Sequence, residues 1–175
     1  ESSIDTRFSL SYRDGKIQDD YEFAVVDKWN TIMRLEREYS DLVKEIIEKK
    51  LGYGENHSWV IFDKDTSEKF KDLLELDMKF DRSLPFKAEV SIDVRLEDAS
   101  LENVAKLMED AHNEFKKEGY IFKKYGAISG TETVVINLLD IKPEQIDDGN
   151  LLELLQKAME TEDGVYEGIS VFITD

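Results

Sequence analysis

The 175-residue chain contains no cysteine. Disulfides, thiolate catalysis and cysteine-ligated zinc are therefore excluded. Histidine, the commonest general base, occurs only as His57 and His112. No apolar run approaches the roughly 18 residues that a transmembrane helix needs. Cationic residues are also scarce, with 23 Lys and Arg against 40 Asp and Glu, a formal net charge of −17. A field of that sign repels nucleic-acid phosphates and anionic lipid, and it favours a basic protein, a cationic ligand or a metal ion. The same charge also serves solubility alone.

The motifs that advertise chemistry are missing as well. There is no H-E-x-x-H, no P-loop and no G-x-S-x-G. "GYGENH" lacks the third glycine of a dinucleotide fingerprint, and it follows a helical pattern instead of a strand. "DKDTSEKFKDLL" opens like a calcium loop, then puts Glu68 where the sharp turn needs glycine and Leu74 where the bidentate glutamate belongs. Glu109 and His112 share the i, i+3 spacing of a bundle metal site, but no second Glu-x-x-His faces them. His112 is expected on a solvated helix face and His57 in a loop. Asn56-His57-Ser58 is a glycosylation sequon, meaningful only in a eukaryotic secretory setting. With 40 acidic residues, any pairing of carboxylates is statistically cheap. No catalytic residue, metal site or cofactor is expected.

What the sequence does carry is periodicity. "PFKAEVSIDVRLED" alternates almost without a break, with Phe86, Ala88, Val90, Ile92, Val94 and Leu96 on one side and Lys87, Glu89, Ser91, Asp93, Arg95 and Glu97 on the other. A period of two is that of a strand with one buried and one wet face. "IDTRFSLSYRDGK" alternates weakly and ends in the turn pair Asp14-Gly15. A helical stripe from Phe23 through Val26, Trp29, Ile32, Tyr39, Val43 and Ile47 predicts one long helix from Asp19 to about Leu51, bent or broken near Arg37 and stopped by Gly52. "HSWVIFDK" predicts a strand and "DTSEKFKDLLELDMKF" a helix capped by Asp65, Thr66 or Ser67.

After Pro85 the expected order is strand 86–97, a helix capped by Ser100, strands "YIFKKYGAIS" and "TETVVINLLDI" joined at Ser129-Gly130, helix "DDGNLLELLQKAME", and closing strand "GVYEGISVFIT". This is the βαββαβ, ferredoxin-like order. The first 84 residues read βαβα. With no Ser-, Gly- or Pro-rich linker, the expectation is a single α+β domain over 1–175, in halves 1–84 and 85–175. Its sheet is mostly antiparallel, with helices on one face, and the other face is left to solvent or to a partner.

That wet face is the candidate site. It carries Lys87, Glu89, Asp93, Arg95 and Glu97 from the alternating strand. If Val165, Ile169, Val171 and Ile173 face the core, Tyr166 and Phe172 join it, as do Lys123 and Tyr125. Aromatic residues amid mixed charge make a protein-binding surface. The bland alternative is that the long first helix covers these strands. From Asp140 to Asp175 there are ten acidic residues against Lys142 and Lys157, an acidic rim or simply a solvated face.

The small size, acidity, missing cysteine and helix-backed sheet together resemble the small acidic immunity proteins that bacteria carry against their own secreted toxins. The resemblance is to the TipC type of streptococcal immunity protein in particular. It implies a protein-binding inhibitor and no enzyme, a toxin domain as partner, and steric occlusion of the toxin's active site by the exposed sheet face. It also implies a membrane anchor at the N-terminus and an extracytoplasmic location; without an anchor the expectation is cytoplasmic. The opening "ESSID" has no initiator Met, consistent with a trimmed or mature form. Two other classes stay open: a ligand-binding or regulatory ferredoxin-like domain with a pocket, and a metal-dependent carboxylate enzyme.

Overall fold

Asp14 and Gly15 both take positive φ, 51° and 75°, the backbone of a two-residue hairpin turn matched to strand twist. The computed structural model, which describes residues 3–174, accordingly has a hairpin there of β1 (Leu10–Arg13) and β2 (Lys16–Asp19). The second of these strands ends at Asp19, where the expected helix was to begin. A π-helical turn covers Glu22–Val26, and Lys28 at φ 63° interrupts the path before α1 (Trp29–Ile46). A further π-turn, Ile47–Leu51, ends at left-handed Gly52. The break thus falls at Lys28 and not near Arg37. Beyond it the stripe behaves as the period demands, with Leu35, Tyr39, Val43 and Ile47 buried, whereas Phe23, Val26 and Trp29 around the break are exposed.

Contacts group the chain into two compact units that do not divide at residue 84. One holds residues up to Tyr39 with Phe62–Lys87, the other Ser40–Ile61 with Ala88 onward. In the first unit, Asp5 is fully buried and accepts hydrogen bonds from Arg34 Nε and Nη2 (both 2.8 Å), Thr31 Oγ1 (3.1 Å) and the Asp77 amide (3.0 Å). The Arg34 guanidinium holds the Asp5 carboxyl below its ordinary range, against the opposing effect of burial. Stacked Tyr39 and Phe80 (4.2 Å between centroids) and tilted Phe62 and Phe86 (5.0 Å) fill the apolar part. Helix α2 (Lys64–Phe70) starts one residue or more ahead of its expected caps, because Asp63 accepts from the Thr66 amide.

The second unit contains the sheet, ordered β3 (Trp59–Phe62, of which Phe62 groups with the first unit), β4 (Ala88–Arg95), β5 (Lys124–Gly130), β6 (Val135–Ile141), β8 (Ile169–Thr174) and β7 (Val165–Tyr166). Helix α3 (Leu101–Lys117), capped by Ser100 as expected, crosses from β4 to β5, and α4 (Pro143–Asp147) and α5 (Leu151–Glu160) lead into the last hairpin. The fold is α+β with a mostly antiparallel sheet; β4 and β5 form its parallel pair. The βαββαβ chain order is present. Its pairing is a consecutive βαβ followed by antiparallel strands, since β4 and β5 are direct neighbours. The core lies between one sheet face and the helices: Val90, Ile92, Val94, Ala127, Leu138 and Val171 meet Leu107, Met108, Ala111, Phe115, Leu154 and Leu155, all buried. No helix among the described residues is long and apolar enough to cross a membrane.

Candidate functional site

Strand parity decides which side chains stand away from the helices. Along β4 the burial alternates strictly, with Ala88, Val90, Ile92 and Val94 inside and Glu89, Ser91 and Asp93 half-buried on the opposite face. Parallel pairing aligns Glu89 with Lys124, Ser91 with Gly126 and Asp93 with Ile128. Antiparallel pairing then aligns Ile128 with Asn137 and Asn137 with Phe172. From β3, Trp59 and Ile61 alternate with buried Val60 and Phe62. The outer face therefore offers four bulky apolar side chains, Trp59 (37% exposed), Ile61, Leu139 and Phe172 (each 46%), interleaved with charge.

The expected site residues divide unevenly. Glu89, Asp93, Arg95 and Phe172 stand on the outer face. Lys87 is exposed but precedes β4 and groups with the first unit, where its carbonyl accepts from the Asp63 amide. Glu97 is exposed beyond the end of β4 and lines a separate hollow with Asp98, Asn103 and Lys106. Lys123 is exposed just before β5 and donates its amide to Ala88 O.

Two expectations are overturned. Tyr125 is buried on the helix side, at 1% exposure, edge-on to Phe122 (5.7 Å) and within hydrogen-bond reach of His112 Nδ1 (2.7 Å). Phe122 lies outside the strand, so the two aromatic residues share one side at a spacing of three, which strand parity misassigns. Tyr166 also faces the helix side, half-buried, with Lys157 Nζ 5.5 Å from its ring centroid. Here the closing segment is a hairpin and not one strand: Glu167 and Gly168 take positive φ, so Tyr166 pairs with Ile169 and shares its face.

His112 is buried rather than solvated, and its Nε2 lies 3.1 Å from Asp147 Oδ1. Lys116, which donates to the same oxygen at 2.7 Å, and His112 hold the Asp147 carboxyl below its usual range. This polar chain ties α3 to β5 and α4. His57 is exposed, its amide donating to Asp93 O at 2.9 Å. In the acidic C-terminal region, Asp140 pairs with Lys124, Asp147 with Lys116 and Glu153 with Lys157; Asp175 lies outside the described residues.

Trp59, Ile61, Lys124, Gly126 and Leu139 were not among the expected site residues. With Ser91, Glu89 and Asp140 they line a trough of about 220 Å³. Its floor is low because the aligned pair at its centre is Ser91 and Gly126. A Cβ on Gly126 would stand 3.1 Å from Leu138 O and 3.4 Å from Ser91 Oγ. A register shift between Tyr125 and Ala127, with Asp140 at φ 63°, marks a bulge at this point, the kind of irregularity that re-aims side chains. Lys124 and Asp140 close one rim as an ion pair. Arg95 is engaged by Glu132 at 2.6 Å. The side chains of Glu89 and Asp93 make no hydrogen bond or ion pair to any described residue.

Such a face can dock a surface of complementary shape and opposite charge. Comparison with curated proteins and with solved structures gives no match. Residues 38–171, most of the chain, match the family described as the YfjL-like C-terminal domain. The chain belongs to that family.

Proposed function

We propose that the domain is a protein-binding module that docks a basic partner on the outer face of β3, β4, β5, β6 and β8 and occludes the surface it covers. The observation that carries this reading is the pairing of exposed Trp59, Ile61, Leu139 and Phe172 with two carboxylates, Glu89 and Asp93, that have no cation of their own. Aromatic anchors set in a rigid scaffold supply binding energy, and net charge of −17 speeds the encounter with a basic surface. In its specific form, drawn from the resemblance to immunity proteins, the partner is a toxin domain and the docking is inhibitory.

The test is charge reversal. Glu89→Lys with Asp93→Lys leaves the melting temperature near that of the parent and weakens the partner at least tenfold, about 1.4 kcal/mol. Unchanged affinity in a folded double variant rejects the face. For the inhibitory form, the parent chain restores growth to cells expressing a toxin encoded beside it, and the double variant does not; equal rescue by both rejects it.

A further inference from the structure

Resting on the docking reading, we infer that the trough centred on Ser91 and Gly126 is a subsite for one arginine side chain of the partner. The volume, about 220 Å³, lies below the roughly 300 Å³ at which pockets for drug-sized ligands begin, so it suits a single side chain. Strand spacings of about 4.8 Å put β3 and β6 roughly 14 Å apart. Trp59 and Ile61 wall the trough on the β3 side and Leu139 on the β6 side, above a floor that carries only a hydroxymethyl and a hydrogen.

An apolar stem enters that slot favourably. Its end then meets charge. Glu89 and Asp93 flank Ser91 on the same strand, each two residues away, so each lies roughly 7 Å along it. Both are half-buried, where an uncompensated carboxylate is costlier than in open water. The Lys124 ammonium is already taken up by Asp140. A guanidinium placed over the trough stacks on the Trp59 ring and directs its donors toward Glu89, which lines the trough, while Asp93, beyond its other end, adds to the attraction. A lysine ammonium is a compact, strongly hydrated point charge and does less of both.

The probe is N-acetyl-argininamide, titrated into the isotope-labelled protein, with N-acetyl-lysinamide and N-acetyl-norleucinamide as controls. Saturable shifts are expected at the Trp59 indole and the Gly126 amide, with at least threefold weaker binding for the lysine probe and no saturation for norleucine. Glu89→Gln with Asp93→Asn, which keeps size and removes charge, weakens the arginine probe at least fivefold. Ser91→Leu, which fills the floor, weakens it at least as much. Equal binding of norleucine, equal or tighter binding of lysine, no saturable shift, or indifference to Glu89→Gln with Asp93→Asn overturns the inference. If the trough ignores arginine while charge reversal still abolishes partner binding, the inference falls and the docking reading stands. If arginine binds as expected but the partner ignores the face, it is the docking reading that falls.

Discussion

Tyr125 and Phe172 make opposite claims about the two faces of one sheet, and their truncation separates them. Tyr125 is 1% exposed, with Phe115, Phe122 and His112 around its ring and its hydroxyl. Removing a buried aromatic side chain costs about 3–5 kcal/mol. Phe172 is 46% exposed. Full burial of such a side chain is worth about 1.5–3 kcal/mol, so Phe172→Ala costs about 1 kcal/mol. Tyr125→Phe keeps the ring and strips the hydroxyl from His112 Nδ1, leaving a buried nitrogen without its partner, at about 1–3 kcal/mol. Urea unfolding followed by far-UV circular dichroism reads all three as shifts of the midpoint at constant slope. Against a total stability of about 5–15 kcal/mol, Tyr125→Ala is a large loss. If Tyr125→Phe is neutral and Tyr125→Ala costs no more than Phe172→Ala, the face assignment is wrong and the outer face described above is not the outer one.

Three further outcomes follow from the geometry. Gly130→Ala places a Cβ 2.1 Å from Val134 O and 2.8 Å from Val135 Cα, both backbone atoms, so the β5–β6 connection must shift; a cost of more than about 2 kcal/mol is expected, with Gly54→Ala, which meets nothing within 4 Å, as the near-neutral control in the same thermal melt. Asp5→Asn strands Arg34 with Glu38 alone and costs about 2–4 kcal/mol near neutrality. Because the folded-state Asp5 carboxyl titrates below its ordinary 3.8, its contribution is present above that value and is lost as pH falls through the lowered one, so parent and variant begin to converge only below pH 3.8 and meet beneath the lowered value. Glu36 has the opposite sign: burial raises it, although its carboxylate accepts from the Phe62 amide. The protonated form is favoured on folding, a contribution complete below pH 4.5 and lost as pH rises through the raised value. Glu36→Gln therefore gains on the parent between pH 4.5 and 7, and an unchanged difference across that range contradicts the assignment.

Much of this architecture was legible where one physical signal acted alone. The strict alternation from Ala88 to Arg95 gave β4 and its wet face, and the Ser100 cap with the stripe through Val104, Met108 and Phe115 gave α3. Legibility failed where a second effect broke the period. Phe122 packs inward from outside its strand and shifts the apparent parity of Tyr125. The Glu167-Gly168 turn reverses the chain inside what reads as one strand, although an Xaa-Gly pair between alternating segments is the same signal that Asp14-Gly15 carries. Lys28 in the left-handed region gives no sequence warning, so the expected helix ran back through it to Asp19, whereas α1 begins only at Trp29. His112 follows Met108 by four residues, on the buried stripe, and that spacing already argued against a solvated position. The trough was out of reach because it depends on the register between β4 and β5 and on a bulge at Asp140, neither of which is local. Trp59 and Ile61 were readable in "HSWVIFDK", where they alternate with Val60 and Phe62.

The central claim, that a partner sits on the face opposite the helices, is open to one direct measurement. A photo-crosslinking residue placed at Phe172 or Leu139 on that face, and at exposed Ile121 or Leu73 as controls, is activated in cells of the source. The account predicts a discrete adduct of one mass from positions 172 and 139 and none from 121 or 73. An adduct formed from 121 or 73, with positions 172 and 139 silent, contradicts it.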